Sequence, residues 1–180
     1  GKNQLTLRKL GHYNCATMHY GGEWYWGVDR LLHLVRHFDA QKLNRRQELD
    51  EDIASMIAAR KVTLPATPPA AARALPPLEL YYSFRSPYSY IALRSTFAIA
   101  KAYGLKLDVK PVLPMVARGM DMPRSKLLYI VKDANREARR KKVPFGRIAD
   151  PAGVGAEVCL AAFSSANTLY IQFDFLVDSL

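Results

Sequence analysis

Leu78 to Arg94 reads LELYYSFRSPYSYIALR, and its pattern changes period in the middle. Leu78, Leu80, Tyr82 and Phe84 alternate with Glu79, Tyr81 and Ser83. That period of two, rich in aromatics, predicts a strand. Arg85-Ser86-Pro87 stops it. Ser86 suits a helix N-cap, and Pro87 suits the first helical position, where its missing N–H has no bond to make. Tyr88 to Tyr103 then suits a helix, with Tyr90, Leu93, Phe97 and Ala100 along one face and Gly104 as its stop. The unit is strand, sharp turn, helix, with a hydroxyl on the first helical turn.

That position favours anions, because unpaired N–H groups and the helix dipole meet there. Thioredoxin-like proteins place the nucleophilic sulfur of a Cys-X-X-Cys motif at this point. Here the four residues are Ser86-Pro87-Tyr88-Ser89. Oxygen in place of both sulfurs rules out dithiol exchange. Ser86 could still donate a hydrogen bond to a thiolate carried by a ligand. The alternative is that Ser86 only caps the helix.

The segment FRSPYSYIAL resembles the start of the 2-hydroxychromene-2-carboxylate isomerase family, which is related to kappa-class glutathione transferases and DsbA-like oxidoreductases. Pro111 to Gly119 (PVLPMVARG) and Pro144 to Gly153 (PFGRIADPAG) resemble the same family, in its order and spacing. The resemblance runs from Leu78 to about Ala166 and implies a thioredoxin-like α/β fold with a helical insertion walling the substrate pocket. It also implies glutathione as cofactor, with Ser86 binding its thiolate and lowering the thiol pKa.

Asn14 to Tyr20 reads as a strand, Gly21-Gly22 as a hairpin turn, and Glu23 to Trp26 as the returning strand. Val28 to Phe38 reads as a helix, its apolar face formed by Leu31, Leu34, Val35 and Phe38. The stretch GGEWYWGVDRLLHL resembles the segment that closes a family domain. There the resemblance places Asp29 near the γ-glutamyl amine of glutathione; otherwise Asp29 caps its helix or pairs with Arg30. The family carries a cis-proline before the first hairpin strand, and Ala16 stands at that place. A cis bond before Ala costs about 3 kcal/mol, so a trans bond is expected.

The order is therefore reversed: a ββα end in residues 1–40, a helix and linker in 41–77, and a βαβ start in 78–180. The chain reads as a fragment of a tandem-repeat protein, or as one domain with its halves permuted. In the permuted form the hairpin docks beside Leu80 to Phe84, making one mixed sheet of about four strands and bringing Asp29 toward Ser86. Otherwise the hairpin packs elsewhere or pairs with another chain, as in a homo-oligomer. Leu5 to Leu10 is too short to assign. Arg45 to Lys61 suits an amphipathic helix, and Leu64 to Pro77 a proline-rich linker. Leu105 to Val109 suits a second strand, parallel to the first through a right-handed crossover. Helices are expected over Pro123 to Lys142, Gly155 to Ala166 and Leu169 to Ser179.

A hydrophobic content of 49% indicates a folded chain, and the net charge of +10 permits acidic partners. No nucleic-acid motif accompanies the charge, and the basic run Arg136 to Lys142 suits the solvated end of a helix. This argues against nucleic acid; a small-molecule substrate is what the family resemblance implies. No apolar run is long enough for a membrane span. Cys15 and Cys159 form no redox or metal motif and lie in segments read as core-facing; they suggest a reducing, cytoplasmic setting and no mutual disulfide. The four histidines are expected at the surface, without a metal.

The resemblance implies a glutathione-dependent isomerase or transferase-like protein acting on an unsaturated aromatic-derived acid, with Arg85 available to a substrate carboxylate. The alternative is a thioredoxin-fold binding or scaffold domain that has lost catalysis. Met120 stands where family members often carry Asn, which weighs against isomerase chemistry.

Overall fold

The structure is a computed structural model that describes residues 1–43, 55, 63–70, 75–146, 148 and 153–168. The helix expected over Arg45 to Lys61 lies outside the described residues except at Ser55, and that over Leu169 to Ser179 lies wholly outside them. The fold is mixed α/β with two small sheets. The chain divides into two compact units, Gly1–Thr63 with Pro123–Arg136, and Leu64–Met122 with Glu137–Leu180.

The first unit begins with α1 (Lys2–Lys9), a helix that buries none of its residues. Strands β1 (Thr17–Tyr20) and β2 (Glu23–Trp26) pair antiparallel from Thr17↔Trp26 to Tyr20↔Glu23. Gly21 and Gly22 join them at φ 57° and 76°. A two-residue turn of this kind needs positive φ at both positions, which glycine adopts without a Cβ clash. A 3₁₀ turn over Val28–Arg30 leads into α2 (Leu31–Ala40).

The buried residues of α2 are Leu32 and His33, whereas Leu31, Leu34, Val35 and Phe38 are half-buried. The most buried side of α2 is thus displaced from the expected apolar face towards Leu32 and His33.

In the second unit β3 (Leu78–Tyr82) runs parallel to β4 (Leu107–Pro111), in register from Leu78↔Leu107 to Tyr82↔Pro111. The crossover is α3 (Pro87–Tyr103). Gly104 ends it at φ 64°, and the Leu105 N–H donates back to the Ala100 carbonyl at 2.8 Å, a Schellman closure. Pro68 from the linker packs on this turn; a Cβ at Gly104 would lie 3.0 Å from the Pro68 Cβ. A 3₁₀ turn over Met115–Arg118 follows β4. Helix α4 (Arg124–Lys141) contributes Arg124 to Arg136 to the first unit and its last residues to the second. Helix α5 (Val154–Thr168) completes the described chain. Ile91, Ala100, Val109, Ala138, Ala156 and Leu160 are among the second unit's buried apolar positions.

The four-stranded mixed sheet does not form: among the described residues β1–β2 and β3–β4 are separate two-stranded sheets. The expected pairing of the Asn14 to Tyr20 strand with Leu80 to Phe84 is therefore absent. On the other side of the hairpin, at the outer edge of β2, the Trp26 N–H donates to the Tyr129 hydroxyl at 3.1 Å, and the Trp24 carbonyl accepts from Arg136 at 3.2 Å. Side chains of α4 thus satisfy backbone groups of that exposed edge.

Candidate functional site

Ser86 stands where the sequence places it, as the N-cap of α3 with Pro87 in the first turn. Its Oγ accepts from the Ser89 N–H at 3.2 Å. Its own proton has no acceptor among the described residues. Two further bonds hold the turn: the Ser86 N–H donates to the Ser83 carbonyl at 2.9 Å, and the Ser83 N–H donates to Ser89 Oγ at 3.3 Å. Ser89 therefore ties the helix's first turn back to the strand end, a role that its place in the four-residue motif does not reveal.

Aromatic and polar groups frame this turn within the second unit. The Tyr82 and Phe84 rings meet edge-on at 5.1 Å, and Phe84 meets Phe163 of α5 at 5.9 Å. Burial, then the neighbouring Tyr90, pushes the Tyr82 phenol above its ordinary pKa. The Tyr90 hydroxyl donates to the Pro144 carbonyl at 2.9 Å, linking α3 to the segment after α4. Arg85 is half-buried in the turn, and Met120 is exposed beyond Gly119.

Asp29 lies in the 3₁₀ turn of the first unit, mostly exposed, and its carboxylate pairs with Arg30. Asp29 belongs to the first unit and Ser86 to the second, so the geometry described for the Ser86 turn comes from the second unit alone. The bond before Ala16 is trans, and Ala16 itself takes φ 53°, a left-handed conformation that no proline can adopt.

The first unit holds a polar network that local sequence pattern does not reveal. Asp133 of α4 is 1% exposed. Arg30 binds it through Nε at 2.8 and 3.0 Å and through one terminal nitrogen at 2.8 Å. Arg136 reaches Asp133 at 3.3 Å and Glu23 at 3.0 Å, and lies over the Tyr25 ring at 4.5 Å. Arg136 and Arg140 are thus not a solvated helix end. Their side chains are mostly covered, and Arg140 binds Glu137 at 2.9 Å.

Next to this network, burial and then the Asp133 carboxylate push the Tyr129 phenol up to about 12. His12 and His33 are buried rather than at the surface. Cys15 and Cys159 are free and exposed, not core-facing. Among the described residues there is no group of three His, Cys, Asp or Glu that could hold a metal ion, and no helix is long and apolar enough to cross a membrane. Comparisons with protein-family models, curated proteins and solved structures gave no match.

Proposed function

We propose that the chain binds glutathione at the start of α3 and acts as a glutathione-dependent isomerase or transferase-like protein of the DsbA-like, thioredoxin-fold type. The observation that carries the reading is Ser86: a helix N-cap whose Oγ is fixed by the Ser89 N–H while its proton remains free to donate. The Ser86 hydroxyl would donate to a thiolate held there, and the N-terminus of α3 would favour its charge; both effects lower a thiol pKa. Glutathione, when bound, would supply a nucleophilic sulfur for reversible addition to an unsaturated aromatic-derived acid, with no net oxidation.

Calorimetric titration of glutathione into wild type and Ser86→Ala tests the assignment. Wild type is expected to bind and to lower the thiol pKa, with both effects lost or reduced in the variant. Equal affinity and equal thiol pKa in the two proteins would remove Ser86 from the chemistry.

A second reading, a binding or scaffold domain of the same fold without catalysis, is favoured by one observation: among the described residues the hairpin and the β3–β4 pair are separate two-stranded sheets. Glutathione binding without turnover of any unsaturated acid supports this reading over the first.

A further inference from the structure

The only two tryptophans of the chain, Trp24 and Trp26, both meet the ring of His12. This residue lies between α1 and β1 and is 1% exposed. Its ring packs on Trp24 at 5.0 Å, meets Trp26 at 6.4 Å, stacks on Tyr13 at 4.9 Å and meets the Tyr129 ring edge-on at 5.0 Å. Nδ1 lies 3.2 Å from both the backbone nitrogen and the carbonyl oxygen of Asn14. Nε2 is buried with no hydrogen-bond partner among the described residues. α1 buries nothing and Leu7 is only half-covered, so His12 is the one fully buried side chain in residues 1–14.

We propose that His12 is a pH-operated anchor, holding residues 1–14 on the hairpin and α4 when neutral and releasing them when protonated. A neutral imidazole fits an aromatic enclosure as a flat, weakly polar ring. An imidazolium brings a second N–H donor and a full charge into a place with no acceptor for Nε2, which is costly. The groups around it do not neutralise that charge. Tyr13 and Tyr129 are held protonated, each pushed above the ordinary tyrosine range by burial and then by Asp133. Asp133, the carboxylate of the packing helix, is already bound by Arg30 and Arg136. From β2, Glu23 is engaged by Arg136 and Lys132. Burial lowers the His12 pKa from 6.5, outweighing the Asn14 backbone bond.

The sign follows from linkage. The released segment takes up a proton near its ordinary pKa of 6.5, while the docked one resists. Docking is therefore complete above that value and weakens as pH falls below it, until the docked ring itself titrates. Release uncovers Trp24, Trp26 and Tyr129.

Tryptophan emission, followed from pH 8 to pH 5 in the full chain, reads this directly because both fluorophores touch His12. Wild type is expected to red-shift reversibly as pH falls below about 6.5, and His12→Phe, which keeps the ring packing without the titrating nitrogen, is expected to lose that shift. His19 also stacks on Trp24, at 4.2 Å, and remains in both proteins as an internal control. Persistence of the shift in His12→Phe overturns the proposal. The ring pKa of His12 in wild type, measured by NMR, does not depend on the variant folding. A value at or above 6.5, or wild-type emission unchanged over the range, also overturns it.

Discussion

Replacing Asp133 by Ala is expected to destabilise the first unit by about 3 kcal/mol. Removing one member of a buried ion pair costs roughly 3–5 kcal/mol, because the other charge is left without compensation. Arg30 and Arg136 are only 15% and 17% exposed, so neither recovers full hydration. The lower end of the range applies because both keep other partners. Arg30 retains Asp29, and Arg136 retains Glu23, the Trp24 carbonyl and the Tyr25 ring. Urea unfolding followed by Trp24 and Trp26 emission reports on this unit. With a slope of about 2 kcal/mol/M, the midpoint is expected to fall by about 1.5 M. Arg30→Lys keeps the charge but loses the planar fork, and a smaller loss of about 1–2 kcal/mol is expected. Asp133→Leu combined with Arg30→Met is expected to recover much of the stability of the single variants, since an apolar replacement leaves one fewer charge buried. A loss below about 1 kcal/mol for Asp133→Ala, the range of an exposed pair, would refute the network as the element joining α4 to the hairpin.

Ser86→Cys is expected to give a reactive thiol with a pKa clearly below the ordinary value of about 8.5, measured by alkylation rate against pH; an unshifted value means the thiol does not feel the helix N-terminus. Ser86→Ala is also expected to cost about 1 kcal/mol in thermal or urea unfolding through loss of the cap to the Ser89 N–H. Ala16→Gly is expected to leave stability unchanged or raise it by up to about 1 kcal/mol, because Ala16 sits at φ 53°, whereas Ala16→Pro is expected to lose more than that; tolerance of proline would show that this turn is not held in the left-handed region. Tyr129 is expected to stay protonated until about pH 12, so an ultraviolet titration shows it ionising after exposed tyrosines. Its unfolded counterpart ionises near pH 10, so the stability it contributes is lost as pH rises from about 10 toward 12, and Tyr129→Phe flattens that slope.

The parts legible in the sequence are those whose causes lie within a few residues. β3, the Ser86 cap, Pro87 in the first turn, α3 and the Gly104 stop follow from alternation, a hydroxyl, a missing N–H and a Cβ-free residue. The glycine hairpin and the parallel β3–β4 pairing were legible for the same reason. The α2 face was not, because a histidine, His33, takes a buried place that apolar spacing assigns to its neighbours. The burial of His12 and His33 was not, because nothing local distinguishes a histidine among aromatics from one in water.

The candidate site divides along the same line. Ser86 depends on Ser83 and Ser89, three residues away on either side, so its motif carries its geometry. The surroundings of Asp29 are set by residues far along the chain: Arg30 bonds Asp133 across 103 positions, and Trp26 bonds Tyr129 across the same separation. A Gly-Glu turn followed by Trp-Gly and Asp-Arg has the same local pattern whether the hairpin edge meets a third strand or a helix. Here a tyrosine hydroxyl and an arginine of α4 satisfy backbone groups on the β2 side of the hairpin, as buried backbone groups require. The hairpin is thereby tied to α4 within the first unit, by contacts that nothing in its own residues foretells.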